Sequence, residues 1–180
     1  MSAILVSLIT LFMQGYESQP YEVVASFEAF EIRYYPSVKL VQTESNVGSN
    51  INFNRLFRYI SGANKNNQKI AMTTPVHMQN DNTKQRMAFV LPASFNEKPP
   101  PPTSKDIQIV SSKAGYYAAI RYGGYSNVEK VNYYTQQLQQ HLSNQQIETI
   151  GGPVVLGYNA PYKFFNRKNE IIIEVTYKQP

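Results

Sequence analysis

FEIRYYPSVKLVQTESNVGSNINFNRLFRYI, residues 30–60, holds the reading that decides the fold. Apolar and polar residues alternate from Phe30 to Tyr35 until Pro36 stops the run, the pattern of a half-buried strand. Val38 to Thr43 reads as a second strand, paired with the first across the Pro36-Ser37 turn. The period then changes. Phe53, Leu56, Phe57 and Ile60 fall at i, i+3, i+4 and i+7, one face of an amphipathic helix. Ser49 or Asn50 is placed to cap its start and Gly62 to end it.

Downstream, the polar stretch Ala63 to Gln68 reads as a loop. Strands are predicted at Lys69 to Met78 and Gln85 to Pro92, and Pro99 to Pro102 is a stiff connector that cannot enter a sheet ladder. The same order then returns. Asp106 to Ser111 and Tyr116 to Tyr122 read as strands, and Ser126-Asn127-Val128-Glu129 has capping-box spacing. Val131, Leu138 and Leu142 continue a helical stripe. After Gly151-Gly152-Pro153 come final strands at Val154 to Tyr158 and Glu170 to Tyr177. A strand–strand–helix–strand–strand unit written twice implies a pseudo-symmetric α+β domain: a large antiparallel sheet or distorted β-barrel, with both helices packed outside it.

Composition narrows the function classes. With 180 residues, 42% hydrophobic and 16% charged, the chain suits one folded domain. Fourteen Tyr and nine Phe without Trp point to half-buried rings with hydroxyls near water. The net charge of +5 is spread, with no run longer than Arg167-Lys168, so the clustering of a nucleic-acid footprint is missing. Without Cys, the chain cannot hold disulfides, thiolate nucleophiles, Cys-ligated zinc or iron–sulfur clusters.

Ala3 to Met13 is an apolar run too short to span a bilayer. It fits the h-region of a secretory signal peptide, although no Lys or Arg precedes it; the other reading is an apolar tail. The expected division is residues 1–20 as leader or tail and 21–180 as the domain. A cleaved leader would imply secretion or a secretory lumen; an uncleaved tail, the cytoplasm.

Catalytic signatures are scarce. There is no Gly-x-Ser-x-Gly elbow, no His-Glu-x-x-His and no phosphate-binding glycine loop. Of the two histidines, His77 closes a predicted strand and reads as an axial iron ligand or as an ordinary strand-end His. His141, in the last turn of the second helix, suits the helix dipole. On the first helix, Phe53, Leu56, Phe57 and Ile60 form an apolar stripe flanked by Arg55 and Arg58, with Lys65 just past the end. An apolar slot rimmed by cations suits a flat apolar ligand carrying carboxylates. The same stripe also reads as plain core with solvated Arg residues.

Several motifs, in order, carry a resemblance. Tyr21-Glu22-Val23-Val24 with Phe30 to Pro36, Arg58-Tyr59-Ile60-Ser61-Gly62-Ala63-Asn64, Lys69 to Val76, Arg121 to Tyr125, Gly157 to Pro161 and Arg167 to Ile171 together resemble the SOUL/haem-binding family over about Tyr21 to Val175. The resemblance implies a distorted antiparallel barrel with two outer helices. It also implies non-enzymatic, non-covalent binding of haem or another tetrapyrrole in an apolar groove beside the first helix. The family's basic position before the helix-end Tyr is filled by Arg58. A second, earlier basic position holds Asn50 or Asn54, with Arg55 as substitute. Cofactor contacts are therefore expected at Phe53, Arg55, Leu56, Phe57, Arg58 and Lys65, with His77 the candidate metal ligand. The expected partner is a small planar ligand, with neither nucleic acid nor a membrane span. Two other readings differ in class: a Tyr-rich protein–protein interaction module, and an enzyme that would need a buried carboxylate of raised pKa facing the groove.

Overall fold

The computed structural model describes residues 16–81 and 83–178; the apolar run Ala3 to Met13 lies outside them. The strands are β1 (Glu17–Ser18), β2 (Glu22–Ser26), β3 (Glu31–Tyr35), β4 (Lys39–Asn46), β5 (Thr73–Thr74), β6 (Val76–Asn80), β7 (Lys84–Val90), β8 (Ile107–Ser111), β9 (Gly115–Gly123), β10 (Val154–Gly157) and β11 (Lys168–Glu174). The helices are α1 (Ile51–Ile60) and α2 (Val128–Asn144). The doubled unit is present: β3-β4-α1-β6-β7, then β8-β9-α2-β10-β11.

All pairings in the nine-stranded sheet are antiparallel, in the order β2-β3-β9-β11-β10-β6-β7-β4-β8. From β3 to β8 the order reads the same from either end once equivalent strands are exchanged. The pseudo-twofold axis therefore falls between β10 and β6. The sheet curls but does not close, with β2 and β8 at its edges.

One expected pairing is corrected by this order. β3 and β4 do not form a hairpin: β3 pairs with β2 and β9, and β4 with β7 and β8. Each half thus lends its first strand to the other. A two-residue hairpin turn needs φ > 0 at its first central position, which the ring of Pro36 forbids. The chain instead crosses between halves, where Ser37 Oγ donates to Ser112 O at 2.6 Å and Val38 N–H to Ser112 Oγ at 2.9 Å. The strand predicted from Lys69 begins only at Thr73 and is divided by Pro75, which has no N–H for a ladder.

The helices occupy one face of the sheet, α1 over β4 and β7, α2 over β9 and β11. Under α2 lie Ile32, Ala118, Ile120, Leu138, Leu142, Ile171 and Ile173; under α1 lie Val41, Leu56, Tyr59, Ile60 and Phe89. Each fully buried Leu or Ile contributes roughly 1.5–3 kcal/mol. The opposite, concave face holds Leu40, Ala88 and Val90 in one half and Ala119, Leu156 and Ile172 in the other.

The helix ends differ from expectation. Asn50 is the first residue before α1, but its side chain makes no cap hydrogen bond. α2 is capped by Asn127, whose Oδ1 accepts from Lys130 N–H at 2.9 Å, while Ser126 bonds the Tyr122 hydroxyl instead of forming a capping box. Gly62, at φ +114°, ends α1 in a region where an L side chain would be strained. The polyproline connector crosses that end, its Pro100 carbonyl accepting from Tyr59 OH at 2.7 Å.

The boundary drawn at residue 20 also moves. β1 pairs with β5, and Gln19 is buried, so residues 17–19 are part of the fold.

Candidate functional site

A straight helix turns about 100° per residue, and that rotation separates the side chains expected to share a site on α1. Asn52, Leu56, Tyr59 and Ile60 face the core. This corrects the predicted stripe. Leu56 is sealed at 0% exposure and supports the helix without lining its outer side. Phe53 and Phe57 sit one step round, toward the middle of the sheet, at 37% and 49% exposure. Their rings stack 5.9 Å apart at 12°, and Phe53 meets Phe89 edge-on at 5.3 Å.

The cations distribute differently from expectation. Arg55 projects from the far flank, pairing with Asp106 at 3.1 Å and donating to Glu44 O at 3.2 Å. It braces α1 against the β4–β8 edge, away from the phenylalanines. Arg58 stands exposed on the outer surface of the helix, next to Phe57 in sequence, and pairs with no acid among the described residues. Lys65 is exposed in the turn beyond α1, its backbone N–H bonded to Pro101 O.

Because the helices cover the outer strands, the central strands β6 and β10 are left as the floor of a groove. Two clefts meet there, sharing Met78 and Asn80. One, of about 380 Å³, is lined by Asn52, Phe53, Met87 and Pro161. The other, of about 410 Å³, runs along the first turns of α2 past Val128, Val131, Thr135 and Val155. Each is the size of a small-ligand site, roughly 300–1,000 Å³. Gly157 in β10 keeps the floor open: a Cβ there would come within 3.2 Å of the Met78 methyl.

Each wall carries a buried oxygen with no hydrogen-bond partner among the described residues, Asn52 Oδ1 from α1 and Thr135 Oγ1 from α2. Both atoms are closed off from solvent, so they lie behind the cleft surface rather than on it. Asn52 Nδ2 donates to Gln85 O at 3.0 Å, which fixes the amide in place. Met78, Asn52, Pro161 and the α2 wall escaped the sequence reading because they belong to four separate segments. Only the alternation along β6, with Val76, Met78 and Asn80 on one side, carried any signal.

His77 does not reach this groove. Alternation along β6 puts it on the concave face, where its cross-strand partners are Leu156 and Ala88. Its Nε2–H donates to Gln19 Oε1 at 2.7 Å, and burial lowers its pKa to about 4. A ligand beside α1 is on the other side of the sheet. As a ligand to metal in that groove, His77 is corrected. No cluster of three or more metal-ligating side chains occurs among the described residues.

The concave face also contains the most deeply buried charges. Arg33 donates to both oxygens of Glu170, at 2.8 and 3.1 Å, reaching past β9 at the small Ala119. Tyr158 OH donates to Glu170 Oε2 at 2.6 Å, and Lys168 Nζ lies 3.1 Å from Oε1. Burial alone would raise the Glu170 pKa, but the bonds from Arg33 and Tyr158 outweigh it and hold the carboxyl below its usual range. A carboxylate so paired is no general acid at neutral pH, and it faces away from the groove.

Comparison with known proteins follows the same lines. The model of the SOUL heme-binding protein family matches residues 16–174. Heme-binding protein 1 of Xenopus laevis is 26% identical over 155 residues, covering 79% of this chain and 82% of that protein. Heme-binding protein 2 of Homo sapiens is 26% identical over 163 residues, covering 79% and 76%. Among solved structures, a hydrolase from Listeria innocua superposes with TM-score 0.61 at 8% identity, over 84% of this chain and 94% of that one. The EcmrR C-terminal domain gives 0.61 at 12%, over 88% and 99%. At those identities the likeness is one of fold alone.

Proposed function

Since the chain belongs to the SOUL heme-binding protein family, we propose that it is a non-enzymatic binder of haem or a related tetrapyrrole, held in the groove between α1 and α2. The observation that carries this reading is the stacked Phe53–Phe57 pair, left exposed beside a cleft floored by Met78. A planar apolar ligand gains most from flat aromatic and soft thioether surface. Arg58, on the outer side of the same helix, is the cation for ligand carboxylates. The first turn of α1, which has no side-chain cap and no acidic residue, adds a positive helix end at the cleft.

The groove's apolar and cationic lining favours holding over transforming. With His77 on the opposite face of the sheet, this reading rests on ring contacts and charge. Haemin titration followed at the Soret band tests the reading. Saturable one-to-one binding that weakens when Phe53 and Phe57 are truncated supports it; weak, unsaturable association indifferent to those changes rejects it.

A further inference from the structure

Between β10 and β11, residues 158–167 carry large rings into solvent. Tyr162, Phe164 and Phe165 are 73%, 72% and 83% exposed. Single exposed apolar residues are ordinary, but three rings within four positions form a patch that calls for a partner. The loop is pinned from inside. Arg167 Nη1 donates to Ala160 O and Lys163 O, both at 2.8 Å, and its guanidinium lies 4.4 Å over the Tyr125 ring. Lys168 N–H donates to Asn159 Oδ1 at 2.6 Å. With the backbone so held, the rings stay on the outside.

Lys163 is exposed at the tip, and there is no Asp or Glu in the chain from Thr149 to Asn169. Arg167 is turned inward to the loop carbonyls, and Lys168 pairs with Glu170 at 3.1 Å. The loop also borders the groove, because Pro161 lines the same cleft as Phe53 and Met78.

We infer that residues 161–165 are a membrane-docking tip that seats the mouth of the groove against an anionic lipid surface. Phe164 and Phe165 enter the acyl boundary, the amphipathic Tyr162 lies at headgroup level, and Lys163 meets lipid phosphates. The exposed Lys163, in a stretch of chain without Asp or Glu, matches an anionic leaflet. This inference does not depend on which ligand the groove holds.

Co-sedimentation of the full chain, without haemin, on phosphatidylcholine vesicles and on vesicles with one third phosphatidylserine tests it. Binding is expected to the anionic vesicles and to fall with salt. The double substitution Phe164→Ser/Phe165→Ser should cut partitioning about ten-fold or more, and Lys163→Glu about five-fold. Both proteins keep the same N-terminal segment, so the difference reports the loop. Haemin binding by the double variant should match the unsubstituted protein, which separates this surface from the groove. As the chain has no Trp, Phe165→Trp provides a clean fluorophore whose emission should shift to the blue on anionic vesicles. Equal sedimentation of the double variant, no sedimentation of the unsubstituted chain, or an unshifted emission would each overturn the inference; in those cases a protein partner becomes the occupant to seek.

Discussion

His77 and Met78 are consecutive in β6 and face opposite sides of the sheet: His77 bonds Gln19 on the concave face, and Met78 floors the groove between the helices. His77→Gln is therefore expected to leave the Soret position and the affinity of a haemin complex unchanged. Met78→Ala should weaken binding several-fold, by removing the thioether from the floor. Parallel absorbance titrations of the two variants check both outcomes. A spectral change on His77→Gln alone would restore the imidazole as an iron ligand.

The same histidine makes stability depend on pH. Its folded pKa of about 4 lies below the ordinary 6.5 because burial penalises the charged ring. The unfolded chain thus binds the extra proton first on acidification. The contribution is complete above about pH 6.5 and is lost progressively toward pH 4, by about 3 kcal/mol. Urea unfolding across that window should show a shallower decline for His77→Gln than for the unsubstituted protein.

The two faces of α1 should respond to truncation in opposite ways. Phe53→Ala and Phe57→Ala should each lower haemin affinity about ten-fold. Phe57→Ala should change the unfolding midpoint little, whereas Phe53→Ala should also lower it modestly, because that ring packs on Phe89. Leu56→Ala empties a sealed site and should cost about 2–5 kcal/mol of stability. Paired titration and denaturation curves separate the roles. If Leu56→Ala lowers affinity without loss of stability, the facing described for α1 is wrong.

Arg55 and Arg58 should also part company. Arg55 is committed to Asp106 in a partly exposed pair worth no more than about 1 kcal/mol, so Arg55→Ala should bind haemin normally. Arg58→Ala should weaken binding, and the loss should shrink when the ligand's carboxylates are esterified. Equal losses from both substitutions would mean that general surface charge, rather than Arg58, attracts the ligand.

Arg33 and Glu170 are both buried. Arg33→Met leaves the carboxylate in the interior without its main partner and should cost about 3–5 kcal/mol. Adding Glu170→Leu should recover part of that loss, because the stranded charge is then removed. Chemical denaturation of both variants measures the difference. Neither substitution should alter haemin binding directly, since the pair lies across the sheet from the groove.

Some of this was legible along the chain. The doubled order of strands and helices, the helix positions and the stop at Gly62 follow from local periodicity and turn chemistry, which act over a few residues. The motifs from Tyr21 to Val175 carried the family. Alternation placed Ile32 on the buried side of its strand, whereas the unbroken run Ile171-Ile172-Ile173 gave no facing. Sequence alone could not say which strands would meet, and it misread β3 and β4 as neighbours because adjacency in the chain was the only pairing signal available.

What the chain determined by itself is therefore the set of elements and the sides of each that repel water. The tertiary structure decided how those sides were shared. Exchange of the first strands between halves brought Arg33 to Glu170, 137 residues away in sequence, and left β6 and β10 uncovered between the helices. The rotation of α1 gave the core Tyr59 and turned Phe53 and Phe57 outward. Such outcomes depend on packing between segments remote in sequence, where burial of one face is chosen against all others at once, and no local pattern records that competition.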